Sequence, residues 1–167
     1  MGDFNITNHM VRDEIENAIK LLGIDKSEFQ EVGKTAWQGI IQKAVDTFLK
    51  IPDFRYANLH WAWQYFREPR ISISSLPEIY LLLTEVIDDD KVWFFAEDTF
   101  DKMWVYEAKS KVIPQILGET SHFEYYIASK KFEWIICENH HGYLIASGEK
   151  AVRKINELTK RTDIAGG

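Results

Sequence analysis

Residue 91 divides this chain by the period of its apolar residues. Before it they recur at helical spacing; from Lys91 onward they gather in short runs rich in Val, Trp, Phe and Tyr, the composition that strands favour. Helices first, strands later and no regular alternation of the two are the features that set the fold class. They predict an α+β fold in which helices cover an antiparallel sheet.

Val11, Ile15, Ala18, Ile19 and Leu22 predict a first helix, ended by Gly23, since glycine suits the left-handed conformation of a helix C-terminus. Thr35-Ala36-Trp37-Gln38 reads as a capping box ahead of Ile40, Ile41, Ala44, Val45 and Phe48. The second helix is expected to run to about Lys50, before Pro52. Ser75-Leu76-Pro77-Glu78 predicts a third start, with Ile79, Leu82, Leu83 and Val86 as its apolar stripe. Strands are expected at 91–97 and 102–107, then a short helix at 110–117 that places Pro114 near its first turn. Three further strands, 123–128, 132–138 and 142–147, have links short enough for tight turns and so form a meander. A closing helix at about 149–160 carries Ala151, Val152, Ile155 and Leu158 on one face. The expectation is a single α+β domain, residues 1–167: an antiparallel sheet of about five strands with a C-terminal three-stranded meander, covered on one face by helices.

Composition removes several classes of function. Hydrophobic residues make up 46% of the chain and charged residues 28%, so a folded soluble domain is expected rather than a disordered segment. Cys137 is the one cysteine, which rules out an internal disulfide and favours a reducing compartment, with the cytoplasm as the expected location. The start Met1-Gly2-Asp3-Phe4-Asn5 lacks a basic segment followed by an apolar one, and Ile6 stands where a myristoylation signal wants a hydroxyl residue. No apolar run approaches the ~18 residues of a membrane span. The formal charge of −6 opposes phosphate backbones, so nucleic acid is not an expected partner. No dinucleotide, P-loop, nucleophile-elbow or zinc-ribbon pattern is present, and no cofactor is expected.

Three groups of residues stand out against that background. Cys137-Glu138-Asn139-His140-His141-Gly142 places a thiol, a carboxylate and two imidazoles at a strand end. On an extended strand Glu138 and His140 share a face and the two histidines diverge unless a turn reorients them. A metal there needs a further ligand, with His122 or His60 available; the plain alternative is a polar turn built on Asn139 and Gly142. Cys137 in an apolar strand reads as a small core residue before it reads as a nucleophile. The run from Arg55 to Arg70 sets five aromatic residues among three arginines, and most of those rings suit the core. Arg67 and Arg70, flanking Pro69, are its best candidates for contact with a partner. Acidic residues gather at Glu85, Asp88, Asp89 and Asp90, then at Glu97, Asp98 and Asp101. Carboxylates just past a helix C-terminus oppose its dipole, so Asp88, Asp89 and Asp90 suit either a solvated turn or an acidic face for a basic protein.

The block Phe123-Glu124-Tyr125-Tyr126-Ile127 through Lys131-Phe132-Glu133-Trp134-Ile135-Ile136-Cys137-Glu138-Asn139-His140-His141 resembles the C-terminal part of small uncharacterised bacterial proteins. In style it is also similar to the immunity proteins of toxin systems, which are acidic, aromatic-rich cytosolic α+β domains. That resemblance implies a non-catalytic, cytosolic protein-binding module, in its specific form one that neutralises a basic toxin. The alternative is an enzyme or metal-binding protein that uses Glu138, His140 and His141.

Overall fold

The computed structural model of the protein describes residues 10–50, 59, 61–74, 78–99 and 102–165, with side chains to 161. Pro52, His60, Asp101, the stretch 55–58 and the cap residues Ser75, Leu76 and Pro77 lie outside the described residues.

The apolar stripe of α1 (Val11–Leu22) buries Ile15 and Ala18, and Gly23 closes the helix at φ 65°, as its position in the sequence predicts. A three-residue strand, β1 (Phe29–Glu31), precedes α2 (Trp37–Phe48), which buries Ile41, Ala44, Val45 and Phe48. Helix α2 starts one residue later than the Thr35 box predicts: Ala36 occupies the N-cap and no side chain caps it. Strand β2 (Arg70–Ile73) follows a 3-10 turn at 62–65. The Ile79 to Val86 stripe is split between a 3-10 turn and the single turn α3 (Leu83–Val86). Glu78 sits at φ 58° outside that turn, so it is not the third residue of a helix begun at Ser75.

Strands β3 (Lys91–Glu97) and β4 (Met103–Lys109) are followed by α4 (Ile113–Gly118), with Pro114 in its first turn. Then come β5 (Tyr125–Ser129), β6 (Ile135–Glu138), β7 (Leu144–Ser147) and α5 (Glu149–Ala165). All seven strands form one sheet in the order β1-β4-β3-β5-β6-β7-β2, antiparallel at every step, and β5-β6-β7 is the expected meander.

Two expectations need correction. Among the described residues the sheet has seven strands rather than about five, because β1 and β2 add one strand at each edge. At three and four residues they are too short to show a period of two. Helices also cover both faces rather than one. The first face packs Val92, Phe94, Tyr125, Ile127, Ile136 and Leu144 against α1, α3, α4 and α5. The second packs Phe95, Val105, Tyr126, Ala128, Cys137 and Ile145 against α2 and the 62–65 turn. Every residue of β5, β6 and β7 is therefore buried, the burial of a strand sandwiched between layers.

Candidate functional site

Strand register builds the site. Tyr125 lies opposite Glu138 and Tyr126 opposite Cys137, so neighbouring residues of β5 send their rings to opposite faces of the sheet. On the first face the Tyr125 hydroxyl donates to Glu138 Oε2 at 2.5 Å, and His122 Nε2 lies 3.3 Å from Glu138 Oε1. Burial first, and then the Glu138 carboxylate, push the Tyr125 phenol well above its ordinary pKa, so it stays a donor. On the second face Glu124 accepts from the backbone N–H of His140 at 3.2 Å and faces its ring Nδ1 at 3.0 Å. The Tyr126 hydroxyl donates to Glu124 Oε2 at 3.4 Å and accepts from the backbone N–H of Trp63 at 3.3 Å. Each face thus holds a buried carboxylate, a tyrosine hydroxyl and an exposed histidine.

The structure divides the group that the sequence places together at the strand end. Asn139 leaves β6, and its Oδ1 accepts from the backbone N–H groups of His141 and Tyr143 at 3.1 and 2.9 Å. That turn carries His140 away from Glu138 to the face of Glu124 and Tyr126, and sets the His140 and His141 rings 4.0 Å apart. Glu138 keeps His122 and Tyr125 instead. Among the described residues no three His, Cys, Asp or Glu side chains are placed to hold a metal ion. Cys137 is fully buried, and desolvation followed by the Glu124 charge pushes its thiol well above the ordinary value, which leaves it a poor nucleophile.

Trp61 brings the second face to the surface. Its backbone is left-handed at φ 59°, a conformation that costs energy for a bulky residue, and its ring is 39% exposed. The ring meets His140 edge-on at 4.8 Å between centroids, and Trp63 lies within 6.4 Å of His140 and 6.2 Å of His141. Tyr143, from the same turn, is 44% exposed. Beside Trp61 and His140 lies an open depression of about 420 Å³ lined also by Val11, Glu97, Asp98, Thr99 and Glu124. Among the described residues, three carboxylates and no lysine or arginine line it.

Asp98 anchors the rim of this depression. Burial alone raises its pKa, but hydrogen bonds from the Trp104 indole and the Thr99 N–H, both 2.7 Å, outweigh burial and hold it below its ordinary value. A depressed folded value adds stability that is complete above the unfolded carboxylate range and disappears as pH falls through the folded value. Asp98→Asn is therefore expected to cost about 1–2 kcal/mol at neutral pH, and the gap from wild type to close below roughly pH 4. Urea titrations at a series of pH values check this, and a gap that stays constant would contradict it.

The other residues singled out in the sequence are tied into the fold. Asp88 pairs with Lys154 at 2.9 Å and Asp89 with Lys150 at 3.2 Å, both lysines on α5. The carbonyls of Asp89 and Asp90 accept from the Ser110 hydroxyl and N–H at 2.6 and 2.9 Å. Arg67 donates through Nε to the Leu49 carbonyl at 2.8 Å, and Arg70 through Nη2 to the Trp63 carbonyl at 3.2 Å. Arg70 thereby holds the turn that carries Trp63. Glu124 was not legible as a site residue, although a lone carboxylate beside two tyrosines in an apolar strand is the signal that marks it.

The class these features define is an α+β protein with an open seven-stranded antiparallel sheet and a carboxylate–tyrosine–histidine group on each face. The chain belongs to a family of unknown function, DUF6756, whose model matches residues 7–159. The match thus extends over both halves of the chain rather than over the C-terminal strands alone. No curated protein and no solved structure matches it. No described helix is long and apolar enough to cross a membrane.

Proposed function

We propose that the protein is a cytosolic protein-binding module that receives a basic partner in the depression beside Trp61. The observation that carries this is the exposed Trp61 ring, held on a left-handed backbone against His140 and bordered by Glu97, Asp98 and Glu124. Tryptophan and tyrosine supply much of the energy at protein interfaces, and an exposed ring beside carboxylates suits a lysine or arginine of a partner. The net charge of −6 supports electrostatic steering of such a partner. In its specific form the proposal is immunity-like, with a basic toxin as the protein that is neutralised.

This reading moves the contact away from Asp88 and Asp89, whose charges already face lysines of α5. The test compares affinities for a partner captured from the native host. Trp61→Ala is expected to weaken binding about 30-fold, the effect of losing an interface anchor worth ~2 kcal/mol, with binding to wild type fading as salt rises. Asp88→Asn and Asp89→Asn are expected to change it less than about threefold, as rim charges do. The opposite ranking would overturn the placement of the contact at Trp61.

A further inference from the structure

A cavity of about 160 Å³ opens beside Glu138 on the first face of the sheet, away from the Trp61 depression. Tyr80, Leu117, Phe123 and Tyr125 give it apolar and aromatic walls, and the Glu138 carboxylate reaches it from β6. The Glu138 side chain is only 9% exposed, whereas His122, whose Nε2 lies 3.3 Å from Glu138 Oε1, is 53% exposed. The two carboxylate oxygens therefore have different partners. Oε2 is held by the buried Tyr125 hydroxyl, while Oε1 faces an exposed imidazole at the surface. The segment that carries His122 is itself braced, because the Ser121 hydroxyl and N–H donate to Glu14 of α1 at 2.7 and 3.3 Å. The rim is thus braced, while the imidazole stands at the surface.

We propose that this cavity binds a small organic cation, a primary ammonium or guanidinium group on a short apolar stem. A buried carboxylate needs a positive or donating partner, and among the described residues its Oε1 has the exposed His122 alone to supply one. Aromatic walls favour both the stem and the cation, whose charge is attracted by ring faces. A metal ion fits less well, since among the described residues no third ligand joins Glu138 and His122. The size selects a fragment rather than a drug-sized molecule, for which pockets of ~300–1,000 Å³ are usual. In binding, the cation takes the place of the imidazole at Oε1 and the Tyr125 hydrogen bond to Oε2 is kept.

The test titrates n-butylammonium into the protein and follows backbone amide resonances by NMR, with 1-butanol and butyrate as neutral and anionic controls. Saturable shifts at Ser121, His122, Tyr125 and Glu138 with a Kd of about 1 mM, and none with the controls, are the expected result. Glu138→Gln keeps an acceptor for Tyr125 but removes the charge, and is expected to weaken binding at least about tenfold. His122→Lys, at an exposed position where folding is not at stake, supplies Oε1 with a tethered ammonium and is expected to weaken binding about as much. An equal response to 1-butanol, no saturation by about 10 mM, or undiminished binding in His122→Lys would each overturn the proposal.

Discussion

Replacing Gly148 by alanine is expected to cost about 3–5 kcal/mol of folding stability, enough to unfold a marginal domain. Gly148 joins β7 to α5 at φ 104°, a region that side-chain-bearing residues rarely adopt. An added Cβ would lie 2.5 Å from the Glu133 carbonyl oxygen and 2.8 Å from the Trp134 Cα. Both obstacles are backbone, so no rotamer change relieves them. The glycine is also pinned from both sides, since its N–H donates to the Pro69 carbonyl at 3.1 Å and its carbonyl accepts from Val152 at 3.0 Å. Gly23→Ala is the matched control: φ is 65° but nothing lies within 4 Å of the added Cβ. Only the backbone term applies there, about 1 kcal/mol. Urea unfolding of the two variants separates strain plus collision from strain alone, and equal losses would contradict the close approach at Gly148.

The second large effect concerns the two faces of the sheet. Phe94 and Phe95 are consecutive residues of β3, both fully buried, but Phe94 belongs to the core under α1, α3, α4 and α5 and Phe95 to the core under α2. Phe94 also stacks on Tyr125 at 5.6 Å and meets Phe29 and Phe123. Phe94→Ala and Phe95→Ala are each expected to cost about 3–5 kcal/mol. A sheet covered on one face only would leave Phe95 on the open side, and its loss would then cost little. Denaturant midpoints of the two variants decide between these cases, with a cost for Phe95→Ala below about 1 kcal/mol contradicting the two-sided core.

Much of this architecture was legible because the elements involved are long enough to show a period. Helices α1 and α5 display their stripes, and β3 to β7 appear as aromatic and β-branched runs with short links. The edge strands β1 and β2 were not legible, since neither is long enough to distinguish alternation from chance. The covering of the second face left a trace in Ile135-Ile136-Cys137 and in Tyr125-Tyr126-Ile127-Ala128, where alternation is absent because both sides are buried. The end of the Phe132 strand also shifted. Phe132 adopts φ 55° in a turn where Ser129 accepts through its carbonyl from Phe132 and through Oγ from Glu133, so β6 begins only at Ile135.

The site was legible in part, for a comparable reason. Glu138, His140 and His141 declare themselves by chemical type, but which of them meet depends on a turn and on strand register. The side-chain oxygen of Asn139 shapes a turn that sends His140 to a carboxylate 16 residues earlier. No local spacing encodes that pairing. His122 is visible in the sequence as a possible neighbour of this group, but its pairing with Glu138, and the part played by Glu124, follow only from the register that sets Tyr125 opposite Glu138 and Tyr126 opposite Cys137. The acidic run at Asp88 and Asp89 illustrates the converse. Its charge density suggests a surface for a partner, yet its nearest cations are lysines of α5, brought there by the packing of α3 on α5.

The proposed function depends above all on a basic protein occupying the depression beside Trp61. Native mass spectrometry of the protein purified at low salt from its own host tests that claim directly, with the Trp61→Ala variant purified in parallel. A stoichiometric protein companion of basic composition, retained by wild type and lost from the variant, is the predicted result. A bare protein in both samples, or a companion held equally by wild type and variant, would contradict it.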